Sequence, residues 1–156
     1  MAQITSYTTT EAIRGCLGID ADDCTDNFIV DSNLELEILA DLSDWLSTHA
    51  TIFSDGNASG ATGEEKLLRD YLVLYSQWFG ATEMAARFLT FPQIVTDGKN
   101  QMNRFAKMDL EKVMGMAAQR MAKYRNKLDE LVNGAVTGTF NPLKVSIPDY
   151  DPVTGV

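Results

Sequence analysis

MNRFAKMDLEKVMGMAAQRMAKYRNKLDEL, residues 102–131, carries a single apolar stripe: Met102, Ala106, Leu110, Val113, Ala117, Met121, Tyr124, Leu128 and Leu131. The mean step is about 3.6 residues, the period of an α-helix with one buried face. The spacing predicts a long helix over about 100–132, stopped by Asn133 and Gly134. At about 100° per residue, Lys112, Arg120, Lys123 and Lys127 share one shoulder of that stripe. The methionines of this stretch, Met102, Met108, Met114, Met116 and Met121, are adaptable apolar filler for a core or a contact surface.

Working back from this helix, the turn Thr96-Asp97-Gly98 separates it from an expected helix over about 82–90, which stops before Pro92. A third helix is expected over about 63–79, opened by the capping box Thr62-Gly-Glu-Glu65 and ended by Gly80. It is apolar almost all round, with Leu67, Leu68, Tyr71, Leu72, Leu74, Tyr75, Trp78 and Phe79. That marks it as central to a core or an interface. Residues 54–63 read as a loop, rich in Gly and small polar residues. A phosphate cradle is excluded there, because the Gly-Lys-Ser/Thr ending is missing and the acids Asp55, Glu64 and Glu65 flank the stretch. A helix over about 25–47 follows from Phe28, Ile38, Leu39, Leu42, Trp45 and Leu46, with Glu35 interrupting the stripe. A short first helix is expected to be capped by Thr8, with Glu11 reaching back, and to end near Gly15 or Gly18.

The expected fold is therefore mainly α. It is a compact bundle of four to five helices over 1–134, with a long C-terminal helix, followed by an extended tail over 135–156. The tail is β-prone and broken by Pro142, Pro148 and Pro152. Its Phe140, Leu143, Val145, Ile147 and Tyr150 are too apolar for a solvated terminus. With no partner strand expected elsewhere in the chain, the tail is read as a docking segment that covers its main-chain groups on another molecule.

At 156 residues the chain fits one domain with a sizeable core. No apolar run approaches the roughly 18 residues a membrane span needs, and no secretory signal is read at the N-terminus. The net charge is −9, with a pI near 4.5, but the distribution is uneven. Residues 1–65 hold thirteen acids and one base, Arg14, whereas residues 97–130 hold eight bases against five acids. Such polarity suits head-to-tail contact between copies as well as an ordinary solvated surface. The four cations of the helical shoulder have phosphates as one conceivable target, although the acidic pI opposes free-standing affinity for DNA.

Little here reads as catalysis. Cys16 and Cys24 are not in a CxxC pair, and His49 is the single histidine, so a zinc site lacks ligands; the thiols read as reduced and packed among apolar groups. His49 reads as a capping or packing residue at a helix end. Asp20, Asp22 and Asp23 lack the spacing of an EF-hand loop. Asp31 and Glu35 share a helical face, as chance proximity predicts among so many acids. No cofactor is expected, and the chain is read as a non-enzyme. A small helical enzyme using carboxylates is the reading that sequence leaves standing beside it.

Two stretches, TTEAIRGCLGI over 9–19 and the Asp-rich Asp22-Asp23-x-x-Asp26-x-x-Ile29, carry a further signal. So do the apolar run 67–78 and the long helix ending in a Pro-containing tail. This order of elements resembles the helical head-tail connector (adaptor, or head completion) proteins of tailed bacteriophages. The loop at 54–63 and the long last helix depart from the shorter members of that family. The resemblance implies a virion structural protein of the neck, made in the host cytoplasm. It implies a dodecameric ring of copies beneath the portal protein, joined to a tail or stopper protein, with DNA passing through the lumen unread. Phe140, Leu143, Val145, Ile147, Pro148 and Tyr150 would dock on a partner, and Lys112, Arg120, Lys123 and Lys127 would face the lumen or a neighbouring subunit. The alternative is a DNA-binding packaging module resembling a small terminase subunit.

Overall fold

The computed structural model describes residues 2–30, 33–90, 94–97, 100–103 and 109–134. Among them lie six helices and two short antiparallel strand pairs, and the chain is mainly helical as the periodicities predict. Residues 135–156, with the whole docking-tail expectation, lie outside the described residues.

The N-terminus makes a hairpin of β1 (Gln3–Thr5) and β2 (Thr8–Thr9). The strand pairing holds Thr8 in extended backbone and buries it, so the first helix cap moves by one residue. Thr9, with φ −127°, accepts the backbone N–H of Ala12 at 3.2 Å. Helix α1 (Thr10–Leu17) then ends at Gly18, whose φ of +70° lets its N–H return to the last carbonyls.

The helix expected over 25–47 is two. Helix α2 (Asp26–Val30) and helix α3 (Leu34–Trp45) are separated by Asn33 at φ +58°, a conformation that a short amide side chain tolerates better than most. The break resets the helical phase. Leu34, Ile38 and Leu42 become the buried stripe of α3, and Glu35 turns out to solvent instead of interrupting it.

Helix α4 (His49–Asn57) takes in residues 54–57 of the expected loop. Tertiary contacts explain why. Arg69 Nη1 donates to the Gly56 carbonyl at 2.9 Å and to Asn57 Oδ1 at 3.3 Å, capping the last turn. A Cβ at Gly56 would sit 2.7 Å from the Glu65 carbonyl oxygen and against Arg69, so the glycine lets α4 lie close on the next helix. The connection that remains is residues 58–62.

Helix α5 (Gly63–Thr90) is continuous, merging the two helices expected over 63–79 and 82–90. Its start is as read: Thr62 Oγ1 accepts the Glu65 N–H at 3.2 Å, and Glu65 Oε2 accepts the Thr62 N–H at 2.7 Å. Gly80 does not end it. A Cβ there would stand 2.6 Å from Ile13 Cδ1, so Gly80 is the notch into which α1 packs. A mid-helix glycine costs about 1 kcal/mol relative to alanine. Burying Ile13, which is fully covered, contributes about 1.5–3 kcal/mol. The notch wins.

The long helix begins later than expected. The strands β3 (Ile94–Asp97) and β4 (Asn100–Asn103) pair antiparallel, with Asp97 opposite Asn100. Of the expected turn, Thr96 and Asp97 lie in β3 and Gly98 is outside the described residues, while Met102 lies in β4. Helix α6 (Leu110–Val132) is capped by Asp109, whose Oδ1 accepts the Lys112 N–H at 3.1 Å. From Leu110 onward the stripe is as read: Leu110, Ala117 and Leu128 are buried, and Val113, Met121, Tyr124 and Leu131 are half-buried.

Helix α5 is the axis of the bundle, packing against α1, α3, α4, α6 and β2. Leu72, Tyr75, Ala81, Met84, Ala85 and Phe88 are its buried contribution. Among the described residues no helix is long and apolar enough to cross a membrane.

Candidate functional site

Two surfaces organise the charged residues of the bundle. The first is a seam between α3 and α5. Glu37, Asp41 and Trp45 recur every four residues on α3, and Tyr75, Phe79, Glu83 and Arg87 do the same on α5. Each set therefore runs along one helical side. Arg87 Nη2 meets both oxygens of Glu37, at 2.8 and 2.7 Å. Asp41 Oδ2 accepts the Tyr75 hydroxyl at 2.5 Å and the Trp45 indole N–H at 2.9 Å. Trp45 stands edge-on to Tyr75 at 5.2 Å, and the Arg125 guanidinium of α6 lies 4.8 Å from the Trp45 ring centre.

The electrostatics follow from this packing. Burial, reinforced by the bond to Asp41, pushes the Tyr75 phenol well above its ordinary range. Glu83 is pushed up from the usual glutamate value by partial burial and then by the neighbouring Glu37 carboxylate, against an opposing pull from Arg87. The sequence reading named Trp45 and Tyr75 as apolar stripe residues and missed the seam. The signal available was the four-residue spacing of polar groups on two helices. It becomes a contact only once the antiparallel packing is known.

Arg14, the sole base of the first 65 residues, is turned inward. It is 7% exposed and donates to the Cys24 carbonyl at 3.1 Å and to Asp26 Oδ1 at 2.7 Å. The Thr10 hydroxyl first, and Arg14 second, hold the Asp26 carboxyl well below the usual carboxylate range. The acidic half thus spends its one cation internally, and no Lys or Arg of residues 2–65 reaches the surface.

Cys16 and Cys24 are free thiols, each pushed up to about 11 by burial. His49 opens α4 and packs on the N-terminal hairpin. Its Nδ1 is 2.7 Å from the Tyr7 hydroxyl, and Tyr7 also packs edge-on against Phe53. Asp20 Oδ1 accepts the backbone N–H groups of Asp22 and Asp23, closing a tight turn. Among the described residues, no group of three or more His, Cys, Asp or Glu side chains is placed to hold a metal ion.

The second surface is the shoulder of α6. Lys112, Arg120 and Lys123 are exposed and Lys127 is half-exposed. Lys127 Nζ pairs with Glu130 at 2.7 Å within its own helix, and that contact raises its pKa. Lys123 lies 5.6 Å from the centre of the Tyr124 ring. Among the described residues Lys112, Arg120 and Lys123 form no ion pair. Met116, 50% exposed, sits in the middle of this shoulder: Lys112 and Arg120 are four residues before and after it, and Lys123 is seven after. The structure therefore brings the four predicted cations onto one face. The tail residues Phe140, Leu143, Val145, Ile147, Pro148 and Tyr150 are outside its described part.

No family model, curated protein or solved structure matches this chain.

Proposed function

We propose that this chain is a structural subunit of a tailed-bacteriophage neck: a head-tail adaptor whose copies form a ring, link the portal protein to the tail or stopper, and let DNA pass. One observation carries the reading. Residues 1–65 hold thirteen acids and one base, which is buried, whereas α6 exposes three cations that form no ion pair among the described residues. A closed ring of identical subunits joined head to tail needs two different, complementary faces on each copy. Charge complementarity supplies register and steering between such faces.

The apolar residues beyond Gly134 are assigned to docking on the portal. The test is a chain cut after Thr137. It should keep the helical circular dichroism and the melting temperature of the full chain while losing co-sedimentation with the portal ring. Normal attachment of the truncated chain would overturn the assignment. The exposed cations support a second reading, a DNA-binding packaging module, which requires salt-sensitive duplex binding by the isolated protein. Absence of binding at low salt removes that reading.

A further inference from the structure

Met116 is not the only large apolar side chain left in solvent. Leu36 is 67% exposed on the outward side of α3, and Val30, the last residue of α2, is 46% exposed. Ala40, Ser43 and Asp44 follow Leu36 on that same outward side, and Glu35 flanks it. Isolated exposed aliphatics are ordinary on protein surfaces. What sets these apart is the sign of their surroundings. Leu36 stands in a stretch of the chain, residues 15–65, with no Lys or Arg at all. Met116 stands among Lys112, Arg120, Lys123 and Lys127. The charges exposed beside Leu36 on α3 are the acids Glu35 and Asp44, and those nearest Met116 along its face of α6 are the cations Lys112, Arg120 and Lys123, so the two apolar centres have neighbours of opposite sign.

We infer that the α6 shoulder centred on Met116 docks on the α3 surface centred on Leu36 of a second copy of this chain. The inference rests on the assembly half of the proposed function, that copies meet head to tail, and names the two faces that meet. The apolar centres supply the desolvated contact. The charges beside them fix orientation and suppress like-with-like pairing, since α6 against α6 or α3 against α3 sets equal charges face to face. The contact is heterologous, so a pair of copies keeps one free face of each kind, and growth continues until a ring closes. The internal pairs agree with this division. Glu37 is taken up by Arg87 and Asp41 by Tyr75 and Trp45, on the side of α3 turned to α5, which leaves the Leu36 side free.

The test uses the full chain in two variants, Leu36→Asp and Met116→Asp. Both sites are exposed, and unchanged circular dichroism confirms that each variant folds. Sedimentation at low salt should show the wild type associating with rising concentration, and each variant alone as a monomer. An equimolar mixture should yield a one-to-one dimer and nothing larger, because each variant retains the face the other has lost. Salt at 1 M should weaken the wild-type association at least tenfold. A wild type that stays monomeric up to about 1 mM overturns the inference. So does a mixture that stays monomeric, or a variant that associates like wild type. Association by these faces in a protein that never binds a portal ring would sink the adaptor reading and leave this contact standing. Portal binding without rescue in the mixture would do the reverse.

Discussion

The seam between α3 and α5 and the shoulder of α6 hold similar residue types and use them in opposite ways. In the seam, three charges have a partner on another element: Glu37 with Arg87, Asp41 with Tyr75, and Arg125 with Trp45. On the shoulder, Lys127 pairs within its own turn, and its neighbours point to water. Partnered groups tie helices together, and unpartnered ones are available to something outside the bundle. Both lie on helices with clear periodicity, so the difference comes from which side of each helix faces a neighbour.

The largest expected effect in this comparison is at Asp41. Asp41→Ala leaves the hydroxyl of Tyr75, a residue only 1% exposed, without its acceptor, and should cost about 2 kcal/mol in denaturant unfolding. Combining it with Tyr75→Phe should cost less than the two single changes together. Additivity would show that the bond contributes nothing to holding the helices.

Glu83 gives a smaller, pH-dependent effect of the opposite sign. Its folded-state pKa is raised above the unfolded value, so the folded protein binds this proton more tightly. The favourable contribution is complete below the unfolded value and is lost as pH rises through the folded one. Glu83→Gln should therefore stabilise the protein at pH 7, by under about 1 kcal/mol because the group is partly solvated, and the gain should vanish in acid. A gain that persists unchanged at pH 4 would mean that packing, not charge, is responsible. Asp26 behaves in the opposite sense: its depressed pKa supplies stability present above its unfolded value and lost on acidification.

The smallest effect belongs to the shoulder. Reversing Lys112, Arg120 and Lys123 to Glu should change the stability of the isolated subunit by no more than about 0.5 kcal/mol per site. A large drop in melting temperature would mean these cations hold the bundle after all, and the contrast would fail.

Local chemistry was legible in the sequence; contacts distant along the chain were not. The Thr62–Glu65 box and the stripe from Leu110 to Leu131 involve residues within a few turns of one another, so spacing alone identifies them. Gly80 read as a stop because glycine usually weakens a helix. Only the arrival of Ile13, from the other end of the chain, makes it a notch. Residues 54–57 read as a loop by composition, and the Arg69 cap that holds them in α4 comes from the next helix. Met102 fitted the helical phase of α6 by accident, since pairing between β3 and β4 decides its backbone. The four cations were placed on one face correctly, because a helix face needs only its own sequence. The exposed Leu36 was hidden by the phase change at Asn33.

The unbroken course of α5 makes the chain unequally tolerant of length change. One residue inserted between Tyr75 and Gly80 would turn everything beyond it by about 100°. Gly80 or the residues after it would swing off Ile13, and Glu83 and Arg87 would leave α3 together. The same insertion in residues 58–62 would lengthen an exposed connection at a few tenths of a kcal/mol. Divergent copies of this protein should accordingly differ in size at the junction between α4 and α5, and keep α5 at constant length.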